Sequence, residues 1–271
     1  MASAPQEALA VRSETLVARL ISGFVLAVVA TFGAVAGGWT FTVLIAALGT
    51  LMAFEWDRLC GGPLYGPYGS MHAAAVTGAA VLTGTGRIGA AVLLVVATAV
   101  VGAMLARGRG RDVRWLTGGL LYIAIPTIAA VWIRSDHEWG RLAILGLFAV
   151  IWSTDTGAYF AGRTIGGPKL APTISPGKTW AGLIGGILAA ILAALIVARL
   201  ADLEPLWLVA ALGALVSLVG QIGDLGKSKV KRHFGVKDSG NLIPGHGGII
   251  DRLDSTLATL PLLAIALALW L

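Results

Sequence analysis

The chain is laid out as long apolar runs parted by short polar breaks. A helix needs about 20 mostly apolar residues, in a range of about 17 to 25, to cross the hydrocarbon core of a bilayer. Nine runs approach that length: 20–36, 39–54, 71–85, 88–106, 115–133, 142–160, 180–198, 206–222 and 253–271. The third is the weakest, because Gly78, Gly84 and Gly86 dilute it, and the second is short and ends on Glu55 and Asp57. The first follows Arg12 and Arg19 and closes on Ala34-Val35-Ala36, so it also resembles a signal peptide. It is expected to stay as a span, and losing it would leave the orientation of the others unchanged.

This pattern predicts an all-α integral membrane protein, a polytopic bundle of about nine transmembrane helices. Residues 1–19 form an N-terminal lead, 20–140 hold about five spans, and 141–271 form a C-terminal region. Two loops in that region, 162–179 and 223–252, are rich in Gly, Pro, Lys and Asp. The first five spans carry little ionisable content.

Composition sharpens the class. Hydrophobic residues make up 57% of the 271 and charged residues 13%, with a mean hydropathy of +0.84. A soluble domain carries about 25% charged residues, so a soluble enzyme, a disordered chain and a nucleic-acid-binding domain are excluded. The single cysteine, Cys60, cannot form an internal disulfide, and no Cys/His cluster suggests zinc.

The net charge of +6 is explained by topology. With nine spans and a cytoplasmic N-terminus, only Arg87, Arg134, Arg141 and Arg199 fall outside, and the other sixteen of the 20 Lys and Arg lie on the cytoplasmic side. That is the positive-inside bias, and it places the N-terminus inside and the C-terminus outside.

Carboxylates are scarce, yet Asp155, Asp224, Asp251 and Asp254 fall at or just inside cytoplasmic helix ends. Acidic side chains at membrane depth cost about 2.5 to 3.5 kcal/mol on insertion scales and mark function by default. Asp251 and Asp254 are three apart and share a helix face. Carboxylates converging from two helix ends suit Mg²⁺, which binds through one or two of them plus substrate phosphates. The sequence leaves the number of cations open. Between them runs a basic stretch, 227–232, followed by Lys237-Asp238 and by Pro244-Gly245-His246-Gly247-Gly248. Lysine, arginine and close-approaching glycine backbone suit a polyphosphate. The string 175–180, Ser-Pro-Gly-Lys-Thr-Trp, is no P-loop, since Pro172 stands where the first glycine is needed. It still offers Lys178 and hydroxyls at a helix start. The tryptophans at 39, 115, 180 and 207 open spans and read as belt anchors.

The segment Ser228–Asp254 resembles the signature of the phosphatidate cytidylyltransferases, the CDP-diacylglycerol synthases. The matching positions are Ser228, Lys231, Arg232, Lys237, Asp238, His246, Gly247, Gly248, Asp251, Arg252 and Asp254. The resemblance extends upstream to Gly223-Asp224, to Ser175–Trp180 and to Asp155-x-Gly157-Ala158-Tyr159. It covers about the last 120 residues with motifs and the first half only by hydropathy. Two positions depart from the pattern: Ala181 stands where that family usually has Glu after the Trp, and Lys227 where it usually has Glu before the Ser.

The resemblance implies transfer of CMP from CTP to phosphatidate, giving CDP-diacylglycerol and pyrophosphate for phospholipid synthesis, at the cytoplasmic face of the inner (plasma) membrane. It implies catalytic roles for Asp224, Asp251, Lys231, Arg232 and His246. Substrate contacts would come from Ser175, Lys178, Ser228, Lys237, Asp238, Gly247, Gly248, Arg252 and Asp155. Asp224, Asp251 and Asp254 would hold Mg²⁺, with a second cation, divalent or monovalent, and a homodimer left open. Two rivals stand beside this reading: a CTP-using kinase of a membrane alcohol, which would release CDP, and a secondary transporter. The transporter predicts ionisable residues near the midplane in paired repeats, whereas here they gather at one face.

Overall fold

Packing in this chain follows its smallest side chains. On the helix Trp180–Leu200 the buried positions are Gly182, Gly186, Ala190, Ala194 and Ala198, one every four residues. Residues so spaced lie on one face, and small side chains there let a second backbone come close. The helix Trp139–Thr164 lies on that strip, since a Cβ added at Gly182 would stand 3.0 Å from the Ala158 carbonyl oxygen. It also lies on the row beside it, where a Cβ added at Gly157 would stand 2.5 Å from the Ala189 Cβ and 2.7 Å from the Gly185 carbonyl oxygen. Gly157→Leu is therefore expected to prise the two helices apart. Overpacking costs about 1–3 kcal/mol, so the thermal midpoint in detergent should fall, and an unchanged midpoint would refute the contact.

The computed structural model describes residues 21–63, 65–135, 139–240 and 247–270. Among these, nine helices follow in order: α1 (Ile21–Ala36), α2 (Gly38–Leu59), α3 (Pro67–Gly84), α4 (Ile88–Gly108), α5 (Val113–Ser135), α6 (Trp139–Thr164), α7 (Trp180–Leu200), α8 (Leu206–His233) and α9 (Ile250–Trp270). Seven are long and apolar enough to cross a membrane; α3 and the described part of α1 are not among them. Outward-facing Leu93, Met104, Leu188 and Leu192 are each more than 60% exposed. So many bare apolar side chains on one surface suit hydrocarbon rather than water.

Two buried clusters run through the bundle. One joins Phe41, Ile133, Ile144, Leu147 and Leu260, the other Met52, Trp56, Val76, Leu120, Ile250 and Leu257. Helix α9 contributes to both, and it packs on α5 and α8. At one end of the bundle Arg134 folds back on the end of α1, its Nε donating to the Ala34 carbonyl at 2.6 Å and Nη2 to that of Val35 at 3.2 Å. These are carbonyls a helix end leaves without partners. Gly37, at φ +63°, lies directly under the guanidinium, where any Cβ would collide with it.

Three expectations are corrected. The stretch 223–252 is not all loop, because α8 continues eleven residues past Ile222 to His233. Leaving the hydrocarbon ends a hydropathy run but not a helix, and Lys and Arg are good helix formers. At 28 residues α8 spans ~42 Å, more than the roughly 30 Å core. The stretch 162–179 contains a two-stranded antiparallel hairpin, β1 (Lys169–Ala171) and β2 (Ser175–Thr179), so the fold is not purely α. Trp115 is not a lipid-facing anchor: it packs on His233 and Phe234, with ring centroids at 4.8 and 5.1 Å, and its carbonyl accepts from Trp56 Nε1 at 2.8 Å. Those rings hold the extra turns of α8 against the start of α5.

Candidate functional site

The site begins with how α9 starts. The first backbone N–H groups of a helix have no partner within it. Glu55, near the end of α2, supplies one: Oε1 accepts from the Ile249 N–H at 2.8 Å and Oε2 from the Ile250 N–H at 2.9 Å. Glu55 is buried, and its negative charge sits where a helix N-terminus favours one. The next residue of α9 is Asp251.

Asp251 collects donors on both oxygens. Its Oδ1 lies 2.8 Å from Lys231 Nζ and 3.1 Å from Lys227 Nζ. Its Oδ2 accepts from the Ser239 N–H at 2.7 Å, the Ser239 hydroxyl at 3.0 Å and the Gly248 N–H at 3.2 Å. One turn on, Asp254 Oδ2 takes Lys227 Nζ at 2.6 Å, while Oδ1 accepts from the Ser255 N–H at 2.7 Å. Asp224, on α8, reaches the Asp254 side chain and receives Lys178 Nζ at 2.5 Å. Lys178 comes from β2; the following Thr179 caps α7, its Oγ1 accepting from the Gly182 N–H at 3.0 Å. Three carboxylates and three ammonium groups thus interlock across β2, α8 and α9.

Beside this cluster opens a cleft of about 380 Å³, lined by Asp155, Arg163, Lys178, Gln221, Asp224 and Ser255 among others. Asp155 on α6 is close enough to feel the charges of Asp254, Asp224 and Lys178. A second cavity of about 410 Å³, between α6, α7, α8 and α9, is lined by side chains such as Leu142, Val209, Leu212 and Leu263 and by no ionisable one. Chemistry on phosphates belongs to the first.

The donor set fits a hard divalent cation. Among the described residues no three acidic, His or Cys groups converge as a ready-made metal site. Asp224 and Asp254, however, are brought together as a pair of carboxylates, and the ammonium groups of Lys178 and Lys227 beside them favour the ionised form that a metal ligand needs. One or two carboxylates, with water and substrate phosphate completing the shell, is the usual arrangement for Mg²⁺.

Residues 17–270 match the cytidylyltransferase family. The chain belongs to this family. It is 40% identical to a phosphatidate cytidylyltransferase of Brucella suis over 259 residues covering 90% of both chains. It is 46% identical to the protein of that name from Staphylococcus saprophyticus over 149 residues, 55% of this chain and 57% of that one.

In this cytidylyltransferase-family chain the anticipated residues divide into three sets. Asp155, Lys178, Asp224, Lys231, Asp251 and Asp254 come together in the cluster and at the cleft, and Gly248 donates to Asp251. The carboxylate that meets Asp224 is Asp254, while Asp251 is turned to the lysines. Ser175 lies in β2, Ser228 on α8, Gly247 beside Asp238, and Arg232, Lys237, Asp238 and Arg252 are exposed around the rim. His246 lies outside the described residues.

Ser239 escaped the sequence reading. Glu55 stood there only as the polar end of the second run, open between lining the site and sitting in water, and Lys227 only as part of the basic stretch 227–232 and as a departure from the family pattern. Asp224, Lys227 and Lys231 are spaced three and four apart, so they share one helix face. That signal was hidden while 223–252 counted as loop. Glu55 and Ser239 act through contacts with residues far along the chain, which no local pattern displays.

Proposed function

We propose that this protein is a phosphatidate cytidylyltransferase, moving CMP from CTP to phosphatidate with release of pyrophosphate and formation of CDP-diacylglycerol. The observation that carries the reading is the interlocked Asp–Lys cluster on α8, α9 and β2, set beside a polar cleft at one end of a bundle of apolar helices. The names of its relatives support it. The site end would face the cytoplasm, where sixteen of the 20 basic residues would lie and CTP is found. The membrane would be the cell's inner one.

In the reaction an oxygen of the phosphatidate phosphate attacks the α-phosphorus of CTP. A new P–O bond forms as the bond to the bridging oxygen breaks, and that electron pair leaves with pyrophosphate. The attacking phosphate is already anionic near pH 7, so no general base is needed. Positioning and charge neutralisation remain for the protein. Lys178 and Lys231 are the inner cations, and Arg232, Lys237 and Arg252 receive the outer phosphates. Ser175, Ser228, Asp238, Gly247 and Asp155 line the approach, and His246 positions a phosphate. Asp224, Asp251 and Asp254 would hold Mg²⁺, Asp251 by giving up Lys231 to a phosphate; when bound, the ion neutralises charge on the CTP phosphates.

The test is incubation in detergent with phosphatidate, CTP labelled at the α-phosphate and Mg²⁺, with and without EDTA. Labelled lipid and pyrophosphate are expected, and EDTA should abolish both. Label that stays in CDP and requires a lipid alcohol would replace this reading with the kinase. Nucleotide-independent uptake of solute into proteoliposomes would replace it with a transporter.

A further inference from the structure

The mechanism above leaves Lys227 unused, although it sits deeper than the other lysines of the cluster. Its side chain is 2% exposed, against 15% for Lys231 and 25% for Lys178. Its Nζ lies 2.6 Å from Asp254 Oδ2, 3.1 Å from Asp251 Oδ1 and 3.1 Å from the Ile250 carbonyl oxygen. An ammonium group has three protons to donate, and three oxygens surround this one. Nothing is left for a substrate phosphate, so Lys227 is no simple phosphate clamp.

All three oxygens belong to the first five residues of α9, and Glu55 pins the start of that helix from α2. The ammonium therefore works as a compact point charge inside a cage of two carboxylates and a carbonyl. Such an oxygen set suits a small free cation equally well. A cation on a covalent tether loses no translational freedom on binding, and it cannot be diluted away or exchanged.

We propose that Lys227 is a built-in cation. Its ammonium fills the position between Asp251 and Asp254 that a free monovalent cation would otherwise occupy, and so holds both carboxylates in place without one. Lys227 is thus a positioning residue, acting through Asp251 and Asp254. The proposal rests on the cytidylyltransferase reading for its effect on turnover, but not for its effect on the fold of the site.

The experiment compares wild-type protein and Lys227→Ala in detergent, in choline chloride and then in potassium, ammonium or methylammonium chloride at equal ionic strength. Turnover of CTP and phosphatidate and the thermal midpoint are both read. Wild-type values should not respond to the choice of monovalent cation. Lys227→Ala should lose about a hundredfold in turnover, and methylammonium or ammonium should raise both its turnover and its midpoint saturably, choline neither. A merely structural lysine would show no such rescue.

Wild-type protein that needs potassium or ammonium would overturn the proposal, as would a Lys227→Ala variant indifferent to small amines. If that variant does not assemble, Lys227→Ser takes its place in the same salts, and its rescue or indifference decides in the same way. If no CTP-dependent product forms with any protein, the activity reading fails separately. The midpoints need neither nucleotide nor lipid, and they still decide the built-in cation.

Discussion

Asp251→Asn is expected to lower turnover by about a thousandfold, the upper range for removing one preorganised electrostatic contact, while the protein still inserts into the membrane. The reason is a count of donors. Lys231 and Lys227 point at Oδ1, and the Ser239 N–H, the Ser239 hydroxyl and the Gly248 N–H point at Oδ2. Asparagine offers one acceptor oxygen and one NH₂ group. Whichever way it turns, the NH₂ faces either two ammonium groups or the donors from Ser239 and Gly248. A buried donor left without an acceptor costs about 1–3 kcal/mol, so a lower thermal midpoint should accompany the loss of rate. Assaying labelled CDP-lipid alongside a melting curve checks both, and near wild-type product formation would remove Asp251 from the site.

The second large effect is expected at Glu55, far from the motif-bearing half of the chain. Glu55→Ala strips the Ile249 and Ile250 N–H groups of their acceptors in a buried setting. Two such groups at about 1–3 kcal/mol each amount to about 2–6 kcal/mol. Because Asp251 and Asp254 ride on the first turns of α9, turnover should fall together with the melting temperature. Glu55→Gln should land between wild type and alanine, since its single carbonyl can serve only one of the two N–H groups. Tryptophan fluorescence on heating gives the midpoint, and a Glu55→Ala protein that melts like wild type would show that α9 is fixed by other contacts.

Glu55 and Asp251 also show where reading the chain stops. Among the described residues hydropathy located nine helices, seven of them long and apolar enough to cross a membrane, because burial in hydrocarbon imposes a length and an apolar content on each span independently of its neighbours. The spacing from Ser228 to Asp254 carried the family, because contacts to one ligand set constrain residue types at fixed intervals along a short stretch. Asp155, Lys178, Asp224, Asp251 and Asp254 were therefore legible as candidates. The extension of α8 to His233 was not, since hydropathy reports where the membrane ends and hydrogen bonding decides where the helix ends.

The sequence by itself determined that the chain is a helical membrane-type protein, and which acidic and basic residues are available for work on phosphates. Only the tertiary structure decided how they are shared: Asp224 with Asp254 and Lys178, Asp251 with Lys231 and Lys227, and Glu55 beneath the start of α9. Those pairings join residues as far as 195 positions apart. They depend on which helix faces meet when small residues let backbones close up, a property of the packed bundle that no single stretch of chain contains.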